Sequence, residues 1–156
     1  MKQINKYIVE RLHINKNIDN YNYHPKTRGE LKELVKKLIK ERGNEANLND
    51  IDTSEIKDMN DLFCESPFNG DISNWDVRKV KDMSYMFYHS KFKGDISHWD
   101  VINVEDISSM FRQSQFNGDI SNWNVSNVKD MNNMFAESNF NGDISKWDVS
   151  NVKNMT

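Results

Sequence analysis

The side chains that could do chemistry in this chain recur in columns. One acidic column contains Asp52, Asp76, Asp100 and Asp148, with Asn124 in the same register. Stacked carboxylates about 5 Å apart repel by somewhat under 1 kcal/mol in water. Such a column therefore implies a basic partner, a cation, or hydrogen bonds to neighbouring turns. A second acidic column, Asp71, Asp95, Asp119 and Asp143, follows the glycine of a recurring Gly-Asp-Ile-Ser. One carboxylate per unit reads as a turn cap, since calcium loops gather several acidic groups in one place. Trp75, Trp99, Trp123 and Trp147 would suit a stacking platform for bases or sugars if exposed, but their place among core positions makes them a buried ladder. His13, His24, His89 and His98 fall in unrelated columns without ligand spacing, so no metal site and no cofactor are expected. Cys64 shares its column with Tyr88, Arg112 and Ala136, an exposed and variable one, and has no paired histidine to activate it as a nucleophile.

These columns exist because the chain repeats. Gly-Asp-Ile-Ser begins at Gly70, Gly94, Gly118 and Gly142, a strict period of 24 residues. Phenylalanines keep the register at Phe63, Phe87, Phe111 and Phe135, and again at Phe68, Phe92, Phe116 and Phe140. Leu48–Thr53 fits as a degenerate first copy with Ile51 in the tryptophan column. Within a unit, Ile72, Trp75 and Val77 have the apolar spacing of a leucine-rich-repeat strand. Val80, Met83, Met86 and Phe87 then follow at helical spacing, with Asp82 placed to favour the first turn of such a helix. Phe68-Asn69-Gly70-Asp71 reads as the turn back, where Asn-Gly tolerates positive φ. The fold class expected is an α/β repeat, a leucine-rich-repeat-like solenoid of strand–helix units whose stacked neighbours bury what one unit cannot.

Residues 1–47 form a separate segment, expected to be a helical cap with helices at about 3–13 and 27–42. Ile4, Tyr7, Ile8 and Leu12 outline the first. Thr27-Arg28-Gly29-Glu30 reads as a capping box for the second, whose stripe is Leu31, Leu34, Val35, Leu38 and Ile39. Residues 48–156 are the solenoid, with its last unit incomplete, and its open end invites end-to-end pairing into a homodimer.

Charge divides along the same boundary. Residues 1–47 carry 11 Lys and Arg against 6 Asp and Glu, whereas residues 48–156 carry 10 against 18. The acidic body argues against nucleic acid as its partner, because phosphate contacts need cations in number. A lone cysteine fits a reducing compartment. The first residues, Met1–Arg11, lack an apolar run long enough for a signal peptide, and nothing in the chain is apolar enough to span a membrane. A cytoplasmic location is the expectation.

The run Phe116-Asn117-Gly118-Asp119-Ile120-Ser121-Asn122-Trp123-Asn124-Val125, continued by Ser126-Asn127-Val128-Lys129-Asp130-Met131-Asn132-Asn133-Met134-Phe135, resembles the BspA-like surface-protein repeat. The same repeat occurs in mycoplasma-type lipoproteins, and the resemblance covers residues 48–156. It implies a leucine-rich-repeat-like solenoid, a role in adhesion or protein interaction, and no enzymatic activity. A helical segment joined to such repeats also resembles small bacterial and phage proteins.

The functional expectation is a non-enzymatic module that binds a protein through its repeat surface, with or without the basic helical head. An inhibitor of a host enzyme acting by direct binding, encoded by a phage or bacterium, is one alternative, and a surface adhesin is another. The candidate contact residues lie on the concave strand face. They are Asp76, Asp100, Asn124 and Asp148, together with the variable positions Asn74, Arg78, His98, Asn122 and Lys146 that flank them. Variation on one face of a strict repeat is where specificity can reside.

Overall fold

A computed structural model describes residues 20–156; the expected helix at 3–13 lies outside them. Helix α1 spans Arg28–Arg42. Thr27 caps its first turn by accepting the Glu30 amide at 3.2 Å, and Glu30 accepts the Lys26 amide at 2.7 Å. Gly43, at φ 89°, turns the chain out of the helix while its N–H still reaches the Ile39 carbonyl at 2.8 Å. Leu31, Val35 and Leu38 are buried against the first repeat unit.

The expected strand–helix repeat is overturned. Among the described residues α1 is the one helix, and there is no sheet; the parallel pairings are isolated bridges such as Asp58–Asp82, Asp82–Asp106 and Asp106–Asp130. This is not an α/β leucine-rich-repeat solenoid. Each 24-residue unit is a coil built from consecutive tight turns. In the unit around Trp75 they close between Ile72 and Trp75 (3.1 Å), Val77 and Val80 (2.9 Å), Met83 and Met86 (3.2 Å), Tyr85 and Tyr88 (3.1 Å), and Phe87 and Ser90 (3.2 Å).

Two kinds of residue explain why turns win. Carboxylates and amides two places before a backbone N–H bend the chain on themselves: Asp71 accepts from Ser73 (2.9 Å), Asp76 from Arg78 (3.1 Å) and Asp82 from Ser84 (2.8 Å). The expected strand 72–77 is thus bent at both ends. The expected helix is interrupted by left-handed residues, at Tyr85 (φ 56°) and His89 (φ 48°), with equivalents Asp61, Glu65, Ser109, Gln113, Asn133 and Glu137 in the other coils. An α-helix cannot contain them. The apolar positions 80, 83, 86 and 87 still face inward, but from a chain of turns. Gly70 was expected to supply positive φ, yet Gly43 is the one described glycine with that geometry. Gly70 is required by proximity instead, because a β-carbon there would overlap the Ala46 carbonyl of the adjacent coil.

The coils stack in register, and the turns leave alternate N–H groups to bond sideways. Met59, Asp61, Phe63 and Glu65 donate to the carbonyls of Asp82, Ser84, Met86 and Tyr88 at 2.8, 3.0, 2.9 and 2.7 Å. The same quartet recurs from Met83, Tyr85, Phe87 and His89 to the next coil, and from Ile107, Ser109, Phe111 and Gln113 to the one after. All four bonds at each junction point the same way along the stack. At about 0.5–1.5 kcal/mol net each, they give a junction a few kcal/mol before any packing.

Packing supplies the rest. Phe63, Phe87, Phe111 and Phe135 form one ladder with centroids 5.6, 5.6 and 5.9 Å apart and rings within 3° of parallel. Phe68, Phe92, Phe116 and Phe140 form a second, at 6.3–6.4 Å. Each tryptophan is tilted onto the first ladder, and its indole N–H reaches back to the previous coil: Trp75 to Leu48 O (3.0 Å), Trp99 to Ile72 O (3.3 Å), Trp123 to Ile96 O (3.1 Å) and Trp147 to Ile120 O (3.1 Å). The indoles are core members tied to the backbone, which removes them as a stacking platform.

Candidate functional site

Because there is no strand-lined sheet, there is no concave strand face to carry the expected contacts. The residues assigned to it lie along one edge of the coil stack. Asn74, Arg78, His98, Asp100, Asn122, Asn124, Lys146 and Asp148 are exposed, and Asp76 is half-buried. The structure brings Asn122, Asn124, Lys146 and Asp148 around one shallow depression of about 280 Å³ floored by Trp123 and Val125.

The acidic column within this group performs a backbone task. Asp76 accepts the Arg78 amide, and its carboxylate is gripped by the Arg78 guanidinium at 2.9 and 2.7 Å. That guanidinium holds the Asp76 carboxyl below the usual carboxylate range. Asp100 accepts the Ile102 amide (3.3 Å), Asn124 the Ser126 amide (3.2 Å) and Asp148 the Ser150 amide (3.0 Å). Asn124 does this without a charge, so the column is required for its acceptor oxygen. Asp71, Asp95, Asp119 and Asp143 cap the serines two residues on in the same way, each at 2.9 Å. Among the described residues no three His, Cys, Asp or Glu side chains gather as a metal site. Cys64 is half-buried, and burial raises its thiol pKa.

The head of α1 is an ionic clasp. Arg28 Nε donates to the Asn60 carbonyl at 2.8 Å, and Arg28 and Lys32 both reach Asp61 Oδ1, at 2.5 and 2.6 Å. Burial opposes ionisation of Asp61, but the Lys32 and Arg28 bonds outweigh it and leave its pKa lowered. At the tail, Arg42 forks onto Asp50 at 2.9 and 3.0 Å. Much of the basic charge of the helix is therefore committed to holding the first coil, while Lys36 and Lys37 pair with Glu33 and Glu41 on the helix itself.

A second exposed cluster escaped the reading of the sequence. Tyr85 is 44% exposed, in T-shaped contact with Tyr88 at 5.9 Å, and Tyr88 lies 6.2 Å from the His89 ring. In the other coils the Tyr85 position holds Asp61, Ser109 or Asn133. Asn and Asp tolerate left-handed backbone, whereas a bulky aromatic there is an outlier. The signal was present in the aligned columns, where a tyrosine interrupts small polar residues, but its cost was invisible until the backbone was seen to be left-handed.

The described residues contain no helix long and apolar enough to cross a membrane. Residues 30–138 and 92–156 match the family described as "Mycoplasma protein of unknown function, DUF285". That is a mycoplasma repeat family, and the match does not extend to the BspA-like leucine-rich repeat specifically. No curated protein and no solved structure matches the chain.

Proposed function

The chain belongs to this mycoplasma repeat family of unknown function, and we propose that it is a non-enzymatic scaffold that binds another protein through the exposed turns of its coil stack. The observation that carries this reading is Tyr85. An aromatic held at φ 56° and left 44% exposed costs stability at a position where neighbouring coils use polar residues. Left-handed backbone costs an ordinary residue about 1–2 kcal/mol. Strain retained at an exposed point is a mark of function, and tyrosine is among the residues that dominate protein interfaces. Tyr88 braces Tyr85 from the side, and the His89 ring lies beside Tyr88. Asn74, His98, Asn122 and Lys146, an exposed column that the repeat does not hold to one residue, are further candidate contacts on the stack.

The test is quantitative capture of a partner from the source cells by the full chain and by Tyr85→Ser, which installs the residue that the next coil uses at the equivalent Ser109. Capture is expected to fall at least tenfold, with the fold intact by circular dichroism. Undiminished capture by Tyr85→Ser would reject the aromatic cluster. A companion variant, Asp76→Asn with Asp100→Asn and Asp148→Asn, keeps every turn cap as Asn124 does and removes the charge together with one of the two Arg78 bonds to position 76. It separates a charge-reading partner from an aromatic-reading one.

A further inference from the structure

We propose that a groove beside Tyr88 binds an acidic side chain of the protein partner, with Lys91, Gln115 and Ser90 as the groups that hold its carboxylate. That the carboxylate belongs to a protein rests on the reading of the Tyr85 surface. The site itself rests on separate observations, at one corner of three successive coils.

The frame builds the groove. Glu65, His89 and Gln113 turn the chain at this corner in the left-handed region, at φ 55°, 48° and 56°. The corners are held in register by Lys91 N–H donating to Ser66 O and Gln115 N–H donating to Ser90 O, both at 3.2 Å. Across them runs an open depression of about 370 Å³, within the roughly 300–1,000 Å³ of ligand pockets. His89 lines it and lies 6.2 Å from the Tyr88 ring, so the groove and the Tyr85 cluster are continuous.

The repeat is broken twice at the middle corner. In the other coils Ser66, Ser114 and Ser138 accept the amide two residues on, from Phe68, Phe116 and Phe140 at 3.2, 3.3 and 3.3 Å. Ser90 is 2% exposed and lines the groove, yet its hydroxyl has no partner among the described residues. A buried hydroxyl is ordinarily paired, and a carboxylate seated in the groove is the acceptor it lacks. The second break is Lys91, where the other coils place Pro67, Gln115 and Asn139. Lys32, Lys79, Lys81 and Lys129 each hold a carboxylate. Lys91 is exposed and has no ion pair among the described residues, and the Gln115 side-chain amide is uncommitted there too.

Ammonium, amide and hydroxyl donors at one corner suit an anion, and hydrogen bonds to a charged acceptor are roughly twice as strong as neutral ones. Glu65, at the first corner of the groove, limits the choice. Its carboxylate repels a dianion such as phosphate, and it accepts an N–H. A glutamate within a peptide meets both conditions, with a single negative charge on its side chain and an amide N–H beside it.

The probe is N-acetylglutamate amide, titrated into the full chain and followed by amide chemical shifts. Saturable binding is expected, with the shifts centred on Ser90, Lys91 and Gln115. N-acetylglutamine amide and inorganic phosphate should bind at least fivefold more weakly. Lys91→Gln installs the residue the next coil uses at Gln115, so it keeps the frame; it is expected to weaken the glutamate probe at least fivefold and to leave the glutamine probe unchanged. Ser90→Ala should weaken the glutamate probe without lowering the melting temperature, whereas Ser114→Ala should lower it. Tyr85→Ser is expected to bind the probe as the parent does, so a failed groove and a failed Tyr85 surface give different results. The proposal is overturned if the glutamate probe does not saturate up to tens of millimolar, if the glutamine probe or phosphate binds as tightly, or if Lys91→Gln binds the glutamate probe as the parent does.

Discussion

Removing one ring from the middle of the first phenylalanine ladder measures how far the stack acts as a unit. Phe87 is fully buried, lies 5.6 Å from both Phe63 and Phe111 with rings 1° from parallel, and packs on Phe92 at 4.4 Å. Truncating a buried phenylalanine to alanine costs about 3–5 kcal/mol. The coils cannot close the gap, because the lateral bonds of Phe87 and its neighbours fix their spacing, so Phe87→Ala belongs near the top of that range. Phe135 is chemically the same residue with one ladder neighbour, Phe111 at 5.9 Å, and with Phe140 at 4.2 Å beside it. Its outer face is open, so Phe135→Ala should cost about half as much, about 2.5 kcal/mol. With a urea slope of about 2 kcal/mol per molar, the two variants should differ in midpoint by about 1 M. Urea melts of the parent and both variants at one protein concentration decide this. Equal losses would show that Phe135 is as enclosed as Phe87 and would refute the ladder contacts as the source of the difference.

Two further outcomes follow from the same contacts. Gly70→Ala should destabilise by about 1–3 kcal/mol or more, since its β-carbon meets the Ala46 backbone, whereas Gly118→Ala meets only the Phe116 ring at 2.9 Å and should cost less; thermal melts that rank them in the opposite order would contradict the close approach. The pKa values of Asp50, Asp71 and Asp76 are lowered by Arg42, by the Ser73 amide and by Arg78 respectively. A lowered folded pKa contributes stability that is present above the unfolded value of about 4 and is lost as pH falls through the folded value. The urea midpoint should thus hold from pH 7 to about 5 and drop below pH 4, and a midpoint at pH 3 equal to that at pH 7 would exclude these carboxylates as acid-labile supports.

The period and the inward columns could be read from the residues alone, because burial depends on which positions are apolar and not on how the backbone joins them. Trp99, Val101, Phe111 and Phe116 are buried for that reason. Backbone conformation could not be read in the same way. The spacing of Val80, Met83, Met86 and Phe87 places one apolar stripe on a helix, and it equally places four side chains inward from successive turns. What separates the two is the Asp82 carboxylate, which takes the Ser84 N–H and hydroxyl, and the left-handed residues at 85 and 89. An aspartate at the start of a helix is also a good cap, so Asp82 supports either solution in isolation. Only the lateral partners, Asp106 O for Met83 and Ser108 O for Tyr85, make the turn chain the better use of the backbone.

The candidate site is sharpened by the same economy. An acidic column along a repeat invites a basic partner, yet Asp76, Asp100 and Asp148 already use an oxygen to hold the next turn, and Asn124 shows that an amide suffices. Asn103, Asn127 and Asn151 are likewise occupied, each donating to a carbonyl of the preceding coil at 2.8, 2.8 and 2.7 Å. Residues with such duties repeat because the frame needs them. Recognition of one target over another has to come from side chains that the frame leaves unassigned. Tyr85 stands furthest from the frame's own preference, since a small polar residue would hold its turn at lower cost. It is therefore the position where selection for a surface, rather than for a fold, is most legible.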